Sequence, residues 1–223
     1  MAKKSDKNDS VKAEANGPGY EEVLRILKRK YGRPVLNSDP FRSLIATVLS
    51  QRVRDDTTGS VTERLFSVYK TPKQLAEAPQ EKIEELIKRS GFYHVKARRI
   101  KEIANIIIKE HNGVVPKDME SLLSLPGVGR KTANCVLVYG FGTPAIPVDT
   151  HVHRISNRLG WVRTLEPEDT EKALCAMIPR KHWIDINHAL LEFGKDICRP
   201  VGPLCKKCPF VESCPSSCER RKP

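Results

Sequence analysis

No stretch of this chain is apolar enough to cross a bilayer, and its N-terminus has no apolar core of the kind a secretory signal carries. The chain is therefore expected in the cytoplasm. Alternating strand patterns are scarce, and the short Val114-Val115-Pro116 piece reads as an extended linker, because proline cannot join a ladder centrally. No internal repeat stands out beyond a similar helix-break-helix outline around Gly91 and Gly127. Residues 1–19 lack the apolar positions needed to pack a face. They mix Lys3, Lys4, Lys7 and Lys12 with Asp6, Asp9 and Glu14, which gives a disordered basic tail whose acidic residues argue against a mitochondrial transit peptide.

What is present is helix. Apolar residues recur at three- and four-residue steps in Val23, Leu24, Leu27 and Tyr31, in Ile100, Ile103, Ala104 and Ile107, in Val152, Ile155 and Leu159, and in Ile186, Ala189, Leu190 and Phe193. Breaks at Gly32-Arg33-Pro34, Thr71-Pro72, Ser90-Gly91, Gly113, Pro126-Gly127, Gly142-Thr143-Pro144 and Pro179 divide the chain into roughly ten short helices. The fold class is all-α. At 223 residues with 39% apolar content, the chain suits one large domain or two small ones, with the segment from Gly142 to Pro147 as a crossing point. Lys and Arg outnumber Asp and Glu by 39 to 27, and the formal charge of +12 favours a polyanionic partner, most commonly nucleic acid.

The segment Leu122-Leu123-Ser124-Leu125-Pro126-Gly127-Val128-Gly129-Arg130-Lys131-Thr132-Ala133 joins the end of one helix to the start of another. Gly127 and Gly129 give the backbone freedom and close approach, Val128 can anchor the turn, and the following helix start offers unpaired N–H groups to a phosphate oxygen. An ordinary C-cap and tight turn would look similar, but Arg130 and Lys131 follow at once in a basic chain, which favours a phosphate grip. Lys131 lies where a helix dipole and Arg130 oppose added positive charge, an arrangement that favours a nucleophilic amine. Eighteen residues on, Asp149 precedes an amphipathic run as a good N-cap, and a carboxylate so placed can stabilise positive charge on a sugar or help move a proton. His151 and His153 do not share a helix face, so a metal pair is not expected, although His151 is a candidate DNA contact.

Five of the seven cysteines crowd into the last 26 residues. Cys198, Cys205, Cys208 and Cys214 follow the spacing C-x6-C-x2-C-x5-C, with Cys218 spare. Four thiolates can close one metal site, and spacing alone leaves zinc and an iron–sulfur cluster both open. A disulfide reading is disfavoured without a secretory signal and would leave one cysteine unpaired.

Three features in fixed order, L-P-G-V-G-R-K-T-A at Leu125 to Ala133, V-D-T-H-V-H-R at Val148 to Arg154 and the four spaced cysteines, resemble the endonuclease III family of helix-hairpin-helix DNA glycosylases with lyase activity. The resemblance covers roughly Tyr20 to Cys214. It implies a six-helix barrel over residues 33–143 that bears the hairpin. It also implies an iron–sulfur domain built from 20–32 and 144–218, and a C-terminal tail over 219–223. It implies Lys131 as Schiff-base nucleophile and Asp149 as catalytic aspartate. Cys198, Cys205, Cys208 and Cys214 become ligands of a [4Fe-4S] cluster, and Gly127, Val128, Gly129 and Arg130 a DNA-binding hairpin. The implied partner is double-stranded DNA containing oxidised or ring-saturated pyrimidines, such as thymine glycol, or abasic sites, met by a monomeric nucleoid-associated enzyme.

Two loops of the family fill the gap left when the damaged nucleotide leaves the stack. Here they resemble the segments around Ser50-Gln51-Arg52 and Gly91-Phe92-Tyr93, which makes Gln51, Arg52 and Phe92 candidate DNA contacts. The match departs from the family pattern in placing Gln51 one position early and Arg52 where glutamine is usual. The interval from Cys198 to Cys205 also holds only Arg199 where basic residues are often more numerous, with Lys206 and Lys207 as the nearby substitutes. Two other readings remain: a mismatch-specific thymine or adenine glycosylase of the same superfamily, against which Lys131 argues, and a non-catalytic DNA-binding module stabilised by metal.

Overall fold

The computed structural model describes residues 17–36, 39–51 and 55–219, and among these it contains helices and no strand. The helices are α1 (Tyr20–Tyr31), α2 (Pro40–Ser50), α3 (Asp55–Val68), α4 (Pro72–Glu77), α5 (Gln80–Ile87), α6 (Tyr93–Glu110), α7 (Met119–Ser124), α8 (Arg130–Cys135), α9 (Thr150–Arg158), α10 (Pro167–Met177) and α11 (Trp183–Asp196). None is long and apolar enough to cross a membrane.

Local chemistry sets several of the starts. Asp39 and Thr71 cap α2 and α4 by accepting from the N–H groups of Arg42 and Gln74, each followed by a proline at the first helical position, where no N–H is missed. Asp118 caps α7 in the same way through Ser121. Gly32 ends α1 at φ 76°, a left-handed stop that glycine adopts without strain.

Two apolar clusters hold the molecule. The first runs from Phe41 to Ala145 and takes residues from α2 to α8, among them Leu44, Ile45, Leu65, Ile83, Ile100 and Val138. The second joins Val23, Leu24 and Leu27 of α1 to Ile146 and residues beyond it, including Val152, Ile155, Trp161, Leu190, Phe193 and Phe210. The chain passes from one cluster to the other between Ala145 and Ile146, inside the expected crossing segment. Lys28 ties α1 to Asp185 of α11 at 2.9 Å.

Two local departures from the sequence reading have physical causes. The tail expected over 1–19 overlaps packed backbone at its end: Trp161 donates its indole N–H to the Pro18 carbonyl at 2.7 Å, and a Cβ on Gly17 would stand 1.7 Å from the Leu159 carbonyl oxygen. After α8 the chain also winds as a π-helix over Val136–Gly140. The run from Thr132 to Val138 is buried without a break, so no polar face marks a helical period there.

Candidate active site and cysteine-lined cavity

The hairpin between α7 and α8 is built as the sequence suggests at Gly127 and Val128. Gly127 sits at φ 72°, so the backbone favours glycine, and the Arg99 side chain lies over the place a Cβ would take. Val128 is buried in the first core, and its N–H closes the turn on the Leu125 carbonyl at 3.1 Å. Gly129 differs. Its φ of −93° and ψ of 177° are extended backbone open to any residue, and a Cβ there would meet nothing within 4 Å. Close approach from outside is therefore the remaining physical reason for glycine at 129.

Lys131 is exposed in the first turn of α8, with its amine in hydrogen-bonding reach of the Cys135 thiol one turn on. The Asp149 charge adds slightly to the rise of that same thiol, so both candidate catalytic groups act on one buried sulfur. Burial pushes the Cys135 thiol up, and the Lys131 charge works against that rise.

Asp149 is the N-cap of α9. Its Oδ1 accepts from the N–H groups of His151 and Val152, both at 2.8 Å. Its Oδ2 accepts from the Asn187 side-chain amide at 3.4 Å. Asn187 also donates to the Pro147 carbonyl at 2.9 Å and accepts from the Tyr139 hydroxyl at 2.6 Å. The Tyr139 phenol is pushed far up by burial and by the nearby Cys135 and Asp149, and so remains a donor. A chain from Tyr139 through Asn187 thus orients the carboxylate.

This geometry lets the capping role of Asp149 be tested apart from the chemical role the sequence suggests for it. Asn is nearly as good a cap, so Asp149→Asn should leave the thermal midpoint within about 2 °C of the parent, whereas Asp149→Ala should cost about 1 kcal/mol of stability. Both should lose about 10²-fold or more in single-turnover base excision. Midpoints from circular dichroism and rates from gel-resolved oligonucleotides check the pair.

The other candidate contacts fall in different settings. Arg130 directs its Nε to Glu171 of α10 at 2.9 Å, and this bond holds the guanidinium firmly charged. Its charge is matched there rather than turned on Lys131. The half-buried His151 ring lies over Gly194 of α11, where a Cβ would come within 2.2 Å, and its Nδ1 meets Arg154 at 3.2 Å. Gln51 donates to the Gly127 carbonyl at 2.9 Å and accepts from Arg99 at 3.3 Å, so it bridges the end of α2 to the hairpin. Arg52 lies outside the described residues. Phe92 is 65% exposed at φ 58°, which excludes a core role for its ring. Gln51 and Phe92 share a hollow of about 320 Å³ with Val95, Lys96 and Arg99.

Cys198, Cys205, Cys208, Cys214 and Cys218 line one cavity of about 280 Å³ walled by Leu159, Phe193, Ile197 and Val211. Arginines of α9 secure its rim: Arg154 donates to the Cys198 carbonyl at 2.8 Å, and Arg158 to the Arg199 and Pro200 carbonyls at 2.7 and 3.1 Å. Four thiolates on one zinc ion would stand about 3.8 Å apart, given Zn–S bonds of about 2.3 Å. Among the described residues, no three His, Cys, Asp or Glu side chains converge closely enough to hold a single ion. The cysteine thiols lining this cavity are a donor set that fits a thiolate-bound metal group.

Several residues in this network escaped the sequence reading. Tyr139 and Asn187 carry no motif, and their meeting depends on the π-turn. Lys96 and Arg99 did leave a signal, since Lys96 falls on the apolar stripe of α6 with Ala97, Ile100, Ile103 and Ile107.

Comparison with known proteins agrees with this geometry. Residues 45–180 match the HhH-GPD superfamily base excision DNA repair protein model. The chain is 52% identical over 194 residues to endonuclease III of Thermotoga maritima, covering 87% of this chain and 91% of that protein. It is 39% identical over 189 residues to endonuclease III of Bacillus subtilis, covering 84% and 86%. Among solved structures, a trapped endonuclease III–DNA covalent intermediate, an estranged-adenine complex, superposes with a TM-score of 0.83 at 38% identity, covering 91% of this chain and 97% of that one. The chain therefore belongs to the endonuclease III family of the HhH-GPD superfamily, the DNA glycosylases and abasic-site lyases of base excision repair.

Proposed function

We propose that this glycosylase and lyase removes oxidised or ring-saturated pyrimidines of the thymine glycol type from duplex DNA, with Lys131 as its nucleophile. The observation that supports this reading is that the Lys131 amine, at the start of the helix after the Gly127-Val128-Gly129 turn, and the Asp149 carboxylate, at the start of α9, both act on the buried Cys135 thiol. The Lys131 nitrogen bonds to C1′ of the deoxyribose. The bond from C1′ to the pyrimidine nitrogen breaks, and the base leaves with the electron pair and takes up a proton. Asp149 stabilises the positive charge that develops on the sugar and helps carry the proton released by the amine. Ring opening gives a Schiff base. Loss of a proton from C2′ then breaks the bond from C3′ to oxygen and expels the 3′ phosphate, after which water frees the lysine.

Cys198, Cys205, Cys208 and Cys214 would hold a [4Fe-4S] cluster, whose bonds to four thiolates cross-link the C-terminal segment into the second core. That core, with 20–32 and 144–218, forms the cluster domain, and 33–143 the barrel that carries the hairpin. The protein works as a monomer on DNA in the cytoplasm. Gln51 and Phe92, which line one hollow, enter the space that the extruded nucleotide vacates, with Arg52 a further candidate contact by its sequence position, and the +12 charge supports phosphate contact along the duplex.

The test is base excision with borohydride trapping on matched duplexes containing thymine glycol, an abasic site, or thymine opposite guanine. A covalent adduct should form with the first two. Preference for the mismatch would reassign the substrate, and cleavage without an adduct would refute the Schiff base.

A further inference from the structure

Lys96 is 3% exposed, and its ammonium has no carboxylate among its hydrogen-bond partners. Its Nζ donates to the Leu49 carbonyl at 2.8 Å, to the Gln51 carbonyl at 2.8 Å and to the Ser90 hydroxyl at 2.9 Å. An ammonium has three protons, and here all three have partners. Leu49 lies in the last turn of α2 and Gln51 is its C-cap, so the first two are end carbonyls with no partner inside their own helix. A cation is favoured at that end of a helix dipole. Lys96 therefore caps α2 from a neighbouring helix.

The third bond fixes the loop that ends at Phe92. Ser90 is buried, and its hydroxyl donates to the same Leu49 carbonyl at 3.3 Å. Two residues on, the left-handed backbone at Phe92 turns its ring to solvent. Gln51 continues the network, through its amide to Gly127 and through Arg99. Burying an ammonium against carbonyl oxygens alone is unfavourable. Burial, followed by the like charge of Arg99, pushes Lys96 down to about 8. An apolar residue would continue the α6 stripe without that penalty but would leave the α2 carbonyls unpaired and the two segments unlinked.

We propose that Lys96 is a positioning residue that holds the end of α2 at Gln51 and the loop ending at Phe92 at one fixed separation before DNA arrives. This rests on the reading that these segments enter the gap left by the extruded nucleotide. Lys96 touches neither the sugar nor the base. Its effect is confined to substrates in which there is a gap to fill, which a general structural role would not be.

The experiment compares the same abasic site in duplex and in single-stranded oligonucleotides, reading borohydride-trapped adduct in single turnovers for the parent, Lys96→Met and Ser90→Ala. In Lys96→Met the duplex rate should fall about tenfold or more, with less than about a twofold change on the single strand, since misplacement of positioning groups by about 1 Å has effects of this size. Ser90→Ala, which removes one of the three acceptors, should show a smaller loss of the same selectivity. Adduct formation on the single strand certifies that each variant is folded. If Lys96→Met is inactive on both substrates, a duplex-selective loss in Ser90→Ala supports the proposal and an unchanged ratio overturns it. Equal losses on both substrates in two active variants, or no duplex loss, also overturn it. Absence of any adduct with the parent would instead refute the Schiff-base reading.

Discussion

Lys131→Ala should abolish the borohydride-trapped adduct on both thymine glycol and abasic duplexes and lower strand cleavage by about three orders of magnitude or more, as loss of a covalent nucleophile does elsewhere. The side chain is exposed and outside both cores, so the substitution should leave the thermal midpoint within about 2 °C. Duplex affinity should fall only modestly. The Gly127 turn, the Gly129 approach and the remaining basic surface are unaltered, and one cation fewer changes the salt slope of binding by about 1. Peptide mass spectrometry of the reduced complex is the sharpest check. A sugar remnant on any residue other than Lys131 would end the proposed chemistry. Cys135 is the informative control, because its thiol lies beside the amine. Cys135→Ala should retain the adduct, since a buried thiol pushed upward is a poor nucleophile at neutral pH.

Cys208→Ala should have the largest effect on stability, about 4 kcal/mol or more, by removing one of the four proposed cluster ligands from the cavity behind Leu159 and Phe193. The parent, purified anaerobically, should absorb near 400 nm and carry about four iron atoms per chain, while the variant should lose both. Stoichiometric zinc in the parent would overturn the cluster. The readout for unfolding is built in. Trp161 and Trp183 are the only two tryptophans, and both pack in the second core, so indole emission follows the half of the molecule that holds the cysteines. In Cys208→Ala the emission transition should move to lower temperature than the far-ultraviolet transition, which is weighted toward the helices around the first core.

The sequence carried the fold class openly, because a stripe such as Ile100, Ile103, Ala104 and Ile107 has one physical reading and is buried as that reading requires. Lys131 and Asp149 were legible for a similar reason. One follows two glycines at a helix start, and the other stands where a cap belongs, so local chain chemistry marks both. The contacts that hold Asp149 and Arg130 are non-local. Asn187 reaches Asp149 across 38 positions, and Glu171 meets Arg130 across 41. Nothing in either residue's neighbourhood announces the meeting. Gly129 shows the opposite error: a glycine read as a backbone necessity has ordinary dihedral angles and open space where a Cβ would stand. Lys96 was visible as a charge on an apolar stripe, but its meaning came only from the three oxygens around it.

The route of the chain through its two cores has a consequence for how the protein is made. The residues of the first core are contiguous from Phe41 to Ala145, whereas α1 must find α11, with Lys28 and Asp185 separated by 157 positions. On the ribosome, α1 emerges before the other elements of the second core. Its apolar face, Val23, Leu24 and Leu27, waits through the synthesis of an entire core before its partner helix exists. A chaperone that protects nascent chains should therefore be found on the first helix for most of translation, and release from it should coincide with completion of the C-terminal helices.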